Sequence, residues 1–394
     1  MQIEKVTDRV NWIGVLDPHL EIFDIVIPTE WGTTYNAYII NAEKITLVDT
    51  VKDVFTEPYI AKIKASVNLD MIEYLIVNHT EPDHAGSIAK LLEINPNITI
   101  VSTKAGYLFL KEQVNKTFRS LIVNDGDTLS LGDMNLEFSM APFLHWPDSM
   151  FTYLKEEQIL FTCDAFGCHF CDKNSKIFND ETDDFKEAYR YYYDEIMSPF
   201  KSYIVEATKK ISDLPIKIVA TGHGPILRKE PKRYLDLYLN WSLPRKKDKK
   251  KLAVAYISSY GNTKKLAEAI ASGFKNSGGE VDLLDVALMD FRMMRQTFEE
   301  ADALAFGSPT FNADAVVPIW IALSAVSPKT SQNKPALAFG DYGWSGEGVS
   351  MITERLKSLK LKLVADGFKV RFAPTDIDLN KAKELGEKLY HECK

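Results

Sequence analysis

The segment from residue 77 to residue 84, VNHTEPDH, constrains the chain most, because His79, Glu81, Asp83 and His84 place four possible metal ligands within six residues. It follows the apolar run 74–77, which predicts a buried strand. Pro82 cannot lie inside a regular helix, so we expect the four groups on a loop at the strand end, before a helix over about 87–93. Because the whole chain has only seven histidines, this density favours a functional site over a solvated turn.

Three later apolar runs also end in a possible ligand. His145 follows residues 140–144, Asp164 follows 159–163, and His223 follows 216–220 between two glycines. His169, just after Asp164, is a fourth candidate. One histidine after a strand is more often a surface residue, but three repeats of the same pattern favour a shared site.

The ligand set itself has a chemical preference. Four imidazoles and three carboxylates are too many for one tetrahedral ion and suit two metals. Asp164 has two oxygens and is the natural bridge between them. A carboxylate in place of an imidazole, as at Glu81, favours iron or manganese over zinc.

These residues carry a resemblance to a known family. The pattern His79-x-Glu81-x-Asp83-His84, followed by His145, Asp164 and His223, resembles the metal framework of the metallo-β-lactamase fold. The Glu81 variant, with HWPDSM at 145–150 and DAFG at 164–167, is similar to the flavodiiron proteins, also called A-type flavoproteins or rubredoxin:oxygen oxidoreductases. The resemblance implies an α/β chain with an αβ/βα sandwich over residues 1–245. It also implies that His79, Glu81 and His145 bind one iron, that Asp83, His84 and His223 bind the other, and that Asp164 bridges them.

The pattern restarts near residue 252 as a second α/β domain. The apolar run 252–257 predicts a strand, residues 258–263 form a hydroxyl-rich turn, and a helix is expected over about 264–274. Such a turn is an anion site, because free N–H groups and the helix dipole point at a phosphate. The turn lacks the lysine of a P-loop, and no GxGxxG is present, so a flavin monophosphate fits better than a nucleoside triphosphate or a dinucleotide.

The second domain resembles flavodoxin, a doubly wound parallel sheet, over residues 252–394. Flavodoxins bind the flavin ring between two further loops, which here follow the strands 303–307 and 336–340. Tyr342 or Trp344 would stack on the ring. The resemblance therefore implies an FMN site formed by Ser258, Ser259, Tyr260, Gly261, Asn262, Thr263, Ser308, Pro309, Thr310, Phe311, Asn312, Asp341, Tyr342, Gly343, Trp344, Ser345 and Gly346.

Composition limits the remaining choices. With 394 residues the chain is long enough for two or three domains, and its net charge of −8 argues against a nucleic-acid partner. The sequence has no apolar run of the length that spans a membrane and no signal-like N-terminus, so we expect a cytoplasmic protein. The basic run 245–251 reads either as a solvated linker or as a docking patch for an acidic electron donor.

Cysteines and aromatic residues leave smaller questions open. Cys163, Cys168 and Cys171 have the spacing of a plant-type iron–sulfur cluster, with Cys393 as a distant fourth ligand. Unpaired thiols are the favoured alternative, because Cys163 lies in an apolar strand. The region 185–210 reads as helical and is rich in tyrosine. From it we select Tyr193, together with His169, as residues that support the metal ligands.

The two resemblances combine into one expected function. FMN would collect electrons and pass them to a di-iron site that reduces O2 to water, NO to N2O, or both. The family implies a head-to-tail homodimer or tetramer, and a rubredoxin, another reductase or a reduced deazaflavin would be the electron donor. Two alternatives remain: a di-zinc hydrolase with an attached flavodoxin module, and an electron-transfer protein whose first domain only docks partners.

Overall fold

The structure is a computed structural model that describes residues 2–244 and 248–393. The chain divides into two compact units, 1–244 and 245–394. Part of the predicted basic linker, residues 245–247, lies outside the described residues. Within the described ranges, no helix combines the length and the apolar character that crossing a membrane requires.

The first unit is built from short strands and seven α-helices in its described part. Its strands are β1 Glu4–Lys5, β2 Val10–Trp12, β3 Val15–Asp17, β4 Ile22–Phe23, β5 Ile27–Pro28, β6 Thr33–Tyr35, β7 Tyr38–Ile40, β8 Ile45–Val48, β9 Ile72–Ile76, β10 Thr99–Ser102, β11 Arg119–Ile122, β12 Thr128–Ser130, β13 Asn135–Met140, β14 Met150–Leu154, β15 Ile159–Cys163 and β16 Ile218–Thr221. Its helices are α1 Thr56–Ser66, α2 Pro82–Ala85, α3 Ile88–Ile94, α4 Lys104–Val114, α5 Lys186–Tyr192, α6 Lys201–Lys210 and α7 Pro231–Ser242.

Two sheets face each other at the centre of this unit. One has the order β1-β2-β7-β8-β9-β10-β11, and the other has the order β12-β13-β14-β15-β16. Side chains alternate along each strand, so β7 directs Tyr38 into the core between the sheets and Ile39 into a second core against the helices. Strand β15 does the same with Phe161 and Leu160. The result is the four-layer αβ/βα sandwich that the resemblance implied.

Two local predictions in this unit need correction. Asp83 and His84 lie on the one-turn helix α2 rather than on a loop, because Pro82 occupies the first helical position, where proline needs no N–H partner. His145 does not follow a strand directly: β13 ends at Met140, and the four residues 141–144 separate it from His145.

The second unit is a doubly wound parallel sheet. Its strands are β17 Lys251–Tyr256, β18 Glu280–Asp285, β19 Ala303–Gly307, β20 Thr310–Phe311, β21 Asp314–Ala315, β22 Pro335–Tyr342, β23 Lys362–Leu363 and β24 Phe368–Arg371. Its helices are α8 Asn262–Asn276, α9 Phe291–Glu300, α10 Val317–Ser324, α11 Pro328–Ser331, α12 Glu347–Ser358 and α13 Asp376–Glu392. The main sheet runs β18-β17-β19-β22-β23, with β24 also on β22, and all these pairs are parallel.

The flavodoxin-like fold is thus confirmed, with two shifted boundaries. Helix α8 begins at Asn262, so Asn262 and Thr263 lie in its first turn rather than in the preceding turn. Strand β22 continues to Tyr342, so Asp341 and Tyr342 end a strand instead of opening a loop. The longer strand is stabilised by β24, which pairs with residues 339–342.

Candidate metal centre

The predicted ligands come from both sheets of the first unit. Strand β9 leads to His79, Glu81 and helix α2, β15 ends immediately before Asp164, and β16 ends two residues before His223. The carboxyl ends of these strands meet at one edge of the sandwich, which is where parallel α/β folds collect functional groups.

One group of ligands gathers around Glu81. Oε2 of Glu81 lies 2.9 Å from His145 Nε2 and 3.2 Å from His79 Nε2. Oδ2 of Asp164 lies 3.3 Å from His79 Nε2 and 3.5 Å from His145 Nε2. One atom from each of these four residues is within 4.8 Å of the others, which is close enough for a shared metal ion.

A second group gathers around Asp83. His223 Nε2 lies 3.2 Å from Asp83 Oδ2, and His84 Nε2 lies 3.6 Å from Asp83 Oδ1. The other oxygen of Asp164, Oδ1, is 2.9 Å from His84 Nε2 and 3.3 Å from His223 Nε2. Asp164 therefore presents one oxygen to each group, which is the arrangement that a bridging carboxylate requires.

Several of these atoms make no hydrogen bond within the protein, although other ligand atoms lie nearby. The buried atoms without a hydrogen bond include both carboxylate oxygens of Asp83, Oδ2 of Asp164, Nδ1 of His84 and Nε2 of His223. Buried polar groups are nearly always satisfied, so the unpaired atoms of this cluster fit a site that binds cations.

The electrostatics of the cluster lead to the same conclusion. Burial by itself would lower the pKa of His223, but its contacts with Asp164 and Asp83 outweigh burial and raise it to about 10. The same balance of burial against carboxylates raises the pKa of His79 and of His84. Burial would raise the pKa of Asp164, yet the surrounding histidines hold it well below its usual value. In the absence of metal, protonated imidazoles thus balance the charge of the carboxylates. Bound metal ions would take the place of these protons.

Further residues form hydrogen bonds that fix the orientation of the candidate metal ligands. Both oxygens of Asp148 lie 3.3 Å from His79 Nδ1, and Thr80 donates to the same carboxylate from its N–H and its hydroxyl. His223 Nδ1 donates to the carbonyl of Thr34 at 2.6 Å. Asp49 accepts bonds from the backbone and side-chain amides of Asn78, so it supports the loop that begins at His79. Such contacts fix the ring orientation and the tautomer of metal-binding histidines.

The predicted flavin loops lie together at the carboxyl ends of β17, β19 and β22. Gly261, which directly precedes α8, has φ +83°, a backbone conformation that glycine adopts at little steric cost. Thr263 is fully buried, and its hydroxyl donates to Asp341. The hydroxyls of Ser258 and Thr310 are buried without a partner, whereas Tyr260 and Trp344 are 88% and 82% exposed. Unpaired hydroxyls and exposed aromatic rings at these loops fit the phosphate and the ring of FMN.

Comparison with known proteins identifies both units. The model of the ODP family of beta lactamases matches residues 33–224, and the flavodoxin model matches residues 254–386. The chain is 41% identical to flavo-diiron protein FprA2 of Clostridium acetobutylicum, over 97% of this chain and 98% of that protein. The chain belongs to the flavodiiron protein family.

Two further relatives match over nearly their whole length. A nitric oxide reductase of Moorella thermoacetica is 38% identical over 98% of this chain and 97% of its own. The structure of rubredoxin oxygen:oxidoreductase from the anaerobe Desulfovibrio gigas superposes with a TM-score of 0.73 at 28% identity, covering 99% of this chain and 98% of that one. The similarity therefore extends over both units.

Of the two residues that we expected to support the metal ligands, His169 contacts a ligand and Tyr193 lies elsewhere. His169 packs on His223 with ring centroids 4.8 Å apart, and its Nδ1 lies 2.9 Å from the hydroxyl of Thr33. Tyr193 instead pairs its hydroxyl with Ser242, and Tyr192 is the tyrosine whose ring contacts His169, at 4.9 Å. Successive helical residues point about 100° apart, so the choice of Tyr193 was one position off the face that meets the ligands.

The cysteines do not support the iron–sulfur alternative. All four are buried, and within the described residues no group of three cysteines comes within ligand distance. Burial raises the pKa of the Cys163 and Cys168 thiols, so they are neutral.

A cavity of about 430 Å³ opens beside Glu81 and Asp83. Its wall includes Asp24 and Lys52. Asp24 lies on the β4–β5 hairpin at φ +48°, and burial and the neighbouring Glu81 raise its pKa to about 6. On this side a small molecule can approach the carboxylate ligands without displacing the core.

Proposed function

We propose that the protein is a flavodiiron oxidoreductase that reduces O2 to water, NO to N2O, or both, with electrons that reach a di-iron site through FMN. The observation that carries this proposal is the shared position of Asp164 between two ligand groups, one of which contains Glu81 in place of an imidazole. This donor set is carboxylate-rich and favours iron over zinc.

The ligand assignment follows the two groups. His79, Glu81 and His145 would hold one iron, Asp83, His84 and His223 would hold the other, and Asp164 would bridge them. When bound, the two irons and FMN supply the electrons, four for each O2 and two for each pair of NO molecules. The protein would hold these ions in a largely buried site, since the side chain of His145 is 15% exposed and those of the other six ligands are at most 7% exposed.

The residues around the ligands have three tasks. Asp148 keeps the proton of His79 on Nδ1 and leaves Nε2 for metal, and the carbonyl of Thr34 does the same for His223. Phe23 and Tyr192 pack on the rings of His169 and His223 and exclude water from that side. The cavity beside Glu81 leaves room for a diatomic substrate and for protons.

In the second unit, Ser258 and the first turn of α8 would bind the FMN phosphate, and Tyr342 or Trp344 would cover the ring. The remaining residues proposed for this site are Ser259, Tyr260, Gly261, Asn262, Thr263, Ser308, Pro309, Thr310, Phe311, Asn312, Asp341, Gly343, Ser345 and Gly346. Residues 1–245 and 252–394 are the proposed domain limits.

We also propose a head-to-tail homodimer or tetramer in the cytoplasm, so that the FMN of one subunit faces the irons of another. A rubredoxin is the first choice of electron donor, because the Desulfovibrio gigas relative is named for that reaction. Another reductase or a reduced deazaflavin is the alternative donor.

Elemental analysis of anaerobically purified protein tests the metal assignment. We expect about two irons per chain, and consumption of O2 or NO once the flavin is reduced photochemically. Asp164→Ala should abolish consumption and keep FMN bound, while the exposed control Asp213→Ala should change neither. About two zincs with little iron would instead favour the di-zinc hydrolase, and full activity of Asp164→Ala would refute the bridge.

A further inference from the structure

We propose that Asn36 is a positioning residue for the metal position around Asp83, because its backbone and side-chain amides hold the loop that carries His223. Asn36 lies between β6 and β7, is fully buried and is not one of the candidate ligands. Its N–H donates to the carbonyl of Gly222 at 2.8 Å, and its Nδ2 donates to the carbonyl of Gly224 at 2.9 Å. The loop is therefore held on both sides of the histidine.

The neighbours of Asn36 fix the direction of its side-chain amide. Trp12 donates from its indole Nε1 to Asn36 Oδ1 at 2.8 Å, and an indole nitrogen can only donate. The carbonyl of Gly224 can only accept, so the NH2 group faces it. This position needs an acceptor on one side and a donor on the other, which an amide supplies and an apolar side chain or a carboxylate does not.

Trp12 is itself held by contacts outside the metal centre. The Lys62 ammonium lies 4.4 Å from the centroid of the Trp12 ring and donates to the carbonyl of Gly14. A Cβ on Gly14 would stand 2.8 Å from Trp12 Nε1 and 2.8 Å from Asn36 Cα, so the absence of a side chain lets the indole reach the amide. These contacts connect helix α1, through Trp12 and Asn36, to the loop around His223.

The loop determines where the ring of His223 stands. Its Nε2 lies 3.2 Å from Asp83 Oδ2 and 3.3 Å from Asp164 Oδ1, the two carboxylates with which it would share a metal ion. A buried carbonyl that loses its donor is costly, so loss of the Asn36 amide should make the loop turn at Gly224. The ring would then move away from both carboxylates, and the metal ion would bind more weakly.

The other metal position should not depend on Asn36, because Asp148 orients His79 there. The inference rests on the proposed metal centre, but not on the identity of its ions, since a histidine nitrogen binds zinc as well as iron. Zn²⁺ can therefore serve as the probe whether or not the protein takes up iron.

Calorimetric titration of the metal-free, full-length protein with Zn²⁺ tests the role of Asn36. His223→Ala identifies the binding step that belongs to the position around Asp83. Asn36→Leu, which keeps the approximate size of the side chain and removes its hydrogen bonds, should weaken that step at least about tenfold and leave the other step unchanged. The matched control is Asn95→Leu, because Asn95 is also buried in the first unit, accepts one backbone N–H and donates to two backbone carbonyls.

The control should keep both binding steps. Unchanged binding in Asn36→Leu, equal weakening of its two steps, or the same loss in Asn95→Leu would overturn the proposal. Selective weakening in Asn36→Leu, in a protein that binds Zn²⁺ but takes up no iron, would count against the proposed function and support the role of Asn36.

A measurement on the unmodified protein guards against misfolding of the variants. Because coupling between two sites is reciprocal, metal bound by His223 should stabilise the contact between Trp12 and Asn36. Magnetic resonance of protein with ¹⁵N-labelled tryptophan should show slower hydrogen exchange at the Trp12 indole after Zn²⁺ is added, and Trp12→Phe identifies its signal. The slowing should exceed that at Trp241 on α7, and equal slowing at both indoles, or none at Trp12, would overturn the proposal.

Discussion

Replacement of Asp148 by asparagine should weaken one of the two metal positions and leave the other unchanged. Asp148 is 1% exposed, and its carboxylate faces the Nδ1 of His79 while accepting two bonds from Thr80, at 2.7 and 2.8 Å. Asparagine keeps the size of the side chain but replaces one oxygen by an NH2 group. Because Thr80 offers two donors, the amide oxygen turns to them and the NH2 faces His79.

The size of the effect follows from that geometry. His79 then loses the acceptor that fixes its tautomer, and a loss of this kind costs roughly 10–100-fold in metal affinity, or about 1.4–2.8 kcal/mol. His223 relies on the carbonyl of Thr34 instead, so the position around Asp83 should keep its affinity.

Anaerobic calorimetric titration of the metal-free protein with Fe²⁺ measures both steps. The control is Asp172→Asn, because Asp172 is also buried but accepts only backbone N–H groups away from the ligands. Equal weakening of both steps, or no change in either, would refute the assignment of Asp148 to His79.

Three further predictions use pH, flavin binding and local stability. The pKa of His223 is raised to about 10 without metal. The protonated ring therefore stabilises the fold fully below its ordinary pKa of about 6.5, and this stabilisation disappears as pH rises through about 10. The urea midpoint of the metal-free protein should fall over this window, while iron affinity should rise because the bound proton no longer competes with the metal. Thr263→Val removes the hydroxyl that bonds Asp341 and should lower FMN affinity about tenfold, as measured by flavin fluorescence, whereas Thr297→Val on α9 should have no effect. Hydrogen exchange should slow at the ends of β9, β15 and β16 when iron is added and at the end of β17 when FMN is added; unchanged exchange in the first set would argue against a metal site there.

The two-domain α/β organisation and the positions of the candidate ligands are visible in the sequence because both give local signals. Apolar runs followed directly by a polar residue located Asp164, and the restart of the βαβ pattern located the second unit. Residues that hydrogen-bond to the ligands are harder to find in the sequence. Thr34 acts through its backbone carbonyl, a group that every residue has. Asp148 is marked only by the HWPDSM motif. The choice of Tyr193 over Tyr192 depended on the helical phase, which sequence fixes only to within a residue or two.

The spacing between the two ligand groups depends on bonds that cross from one sheet to the other. Tyr38 of the first sheet donates to the carbonyl of Thr221 at 2.7 Å, and Asn36 donates from its backbone to Gly222 at 2.8 Å. In the opposite direction, Met150 of the second sheet donates to the carbonyl of Asn78 at 2.9 Å. None of these residues carries a ligand atom, and their partners are 72 or more positions away in sequence, for example Asn78 and Met150. A bridging carboxylate tolerates little error in distance, so the packing of the two sheets, and not the ligand motif, determines whether Asp164 reaches both groups.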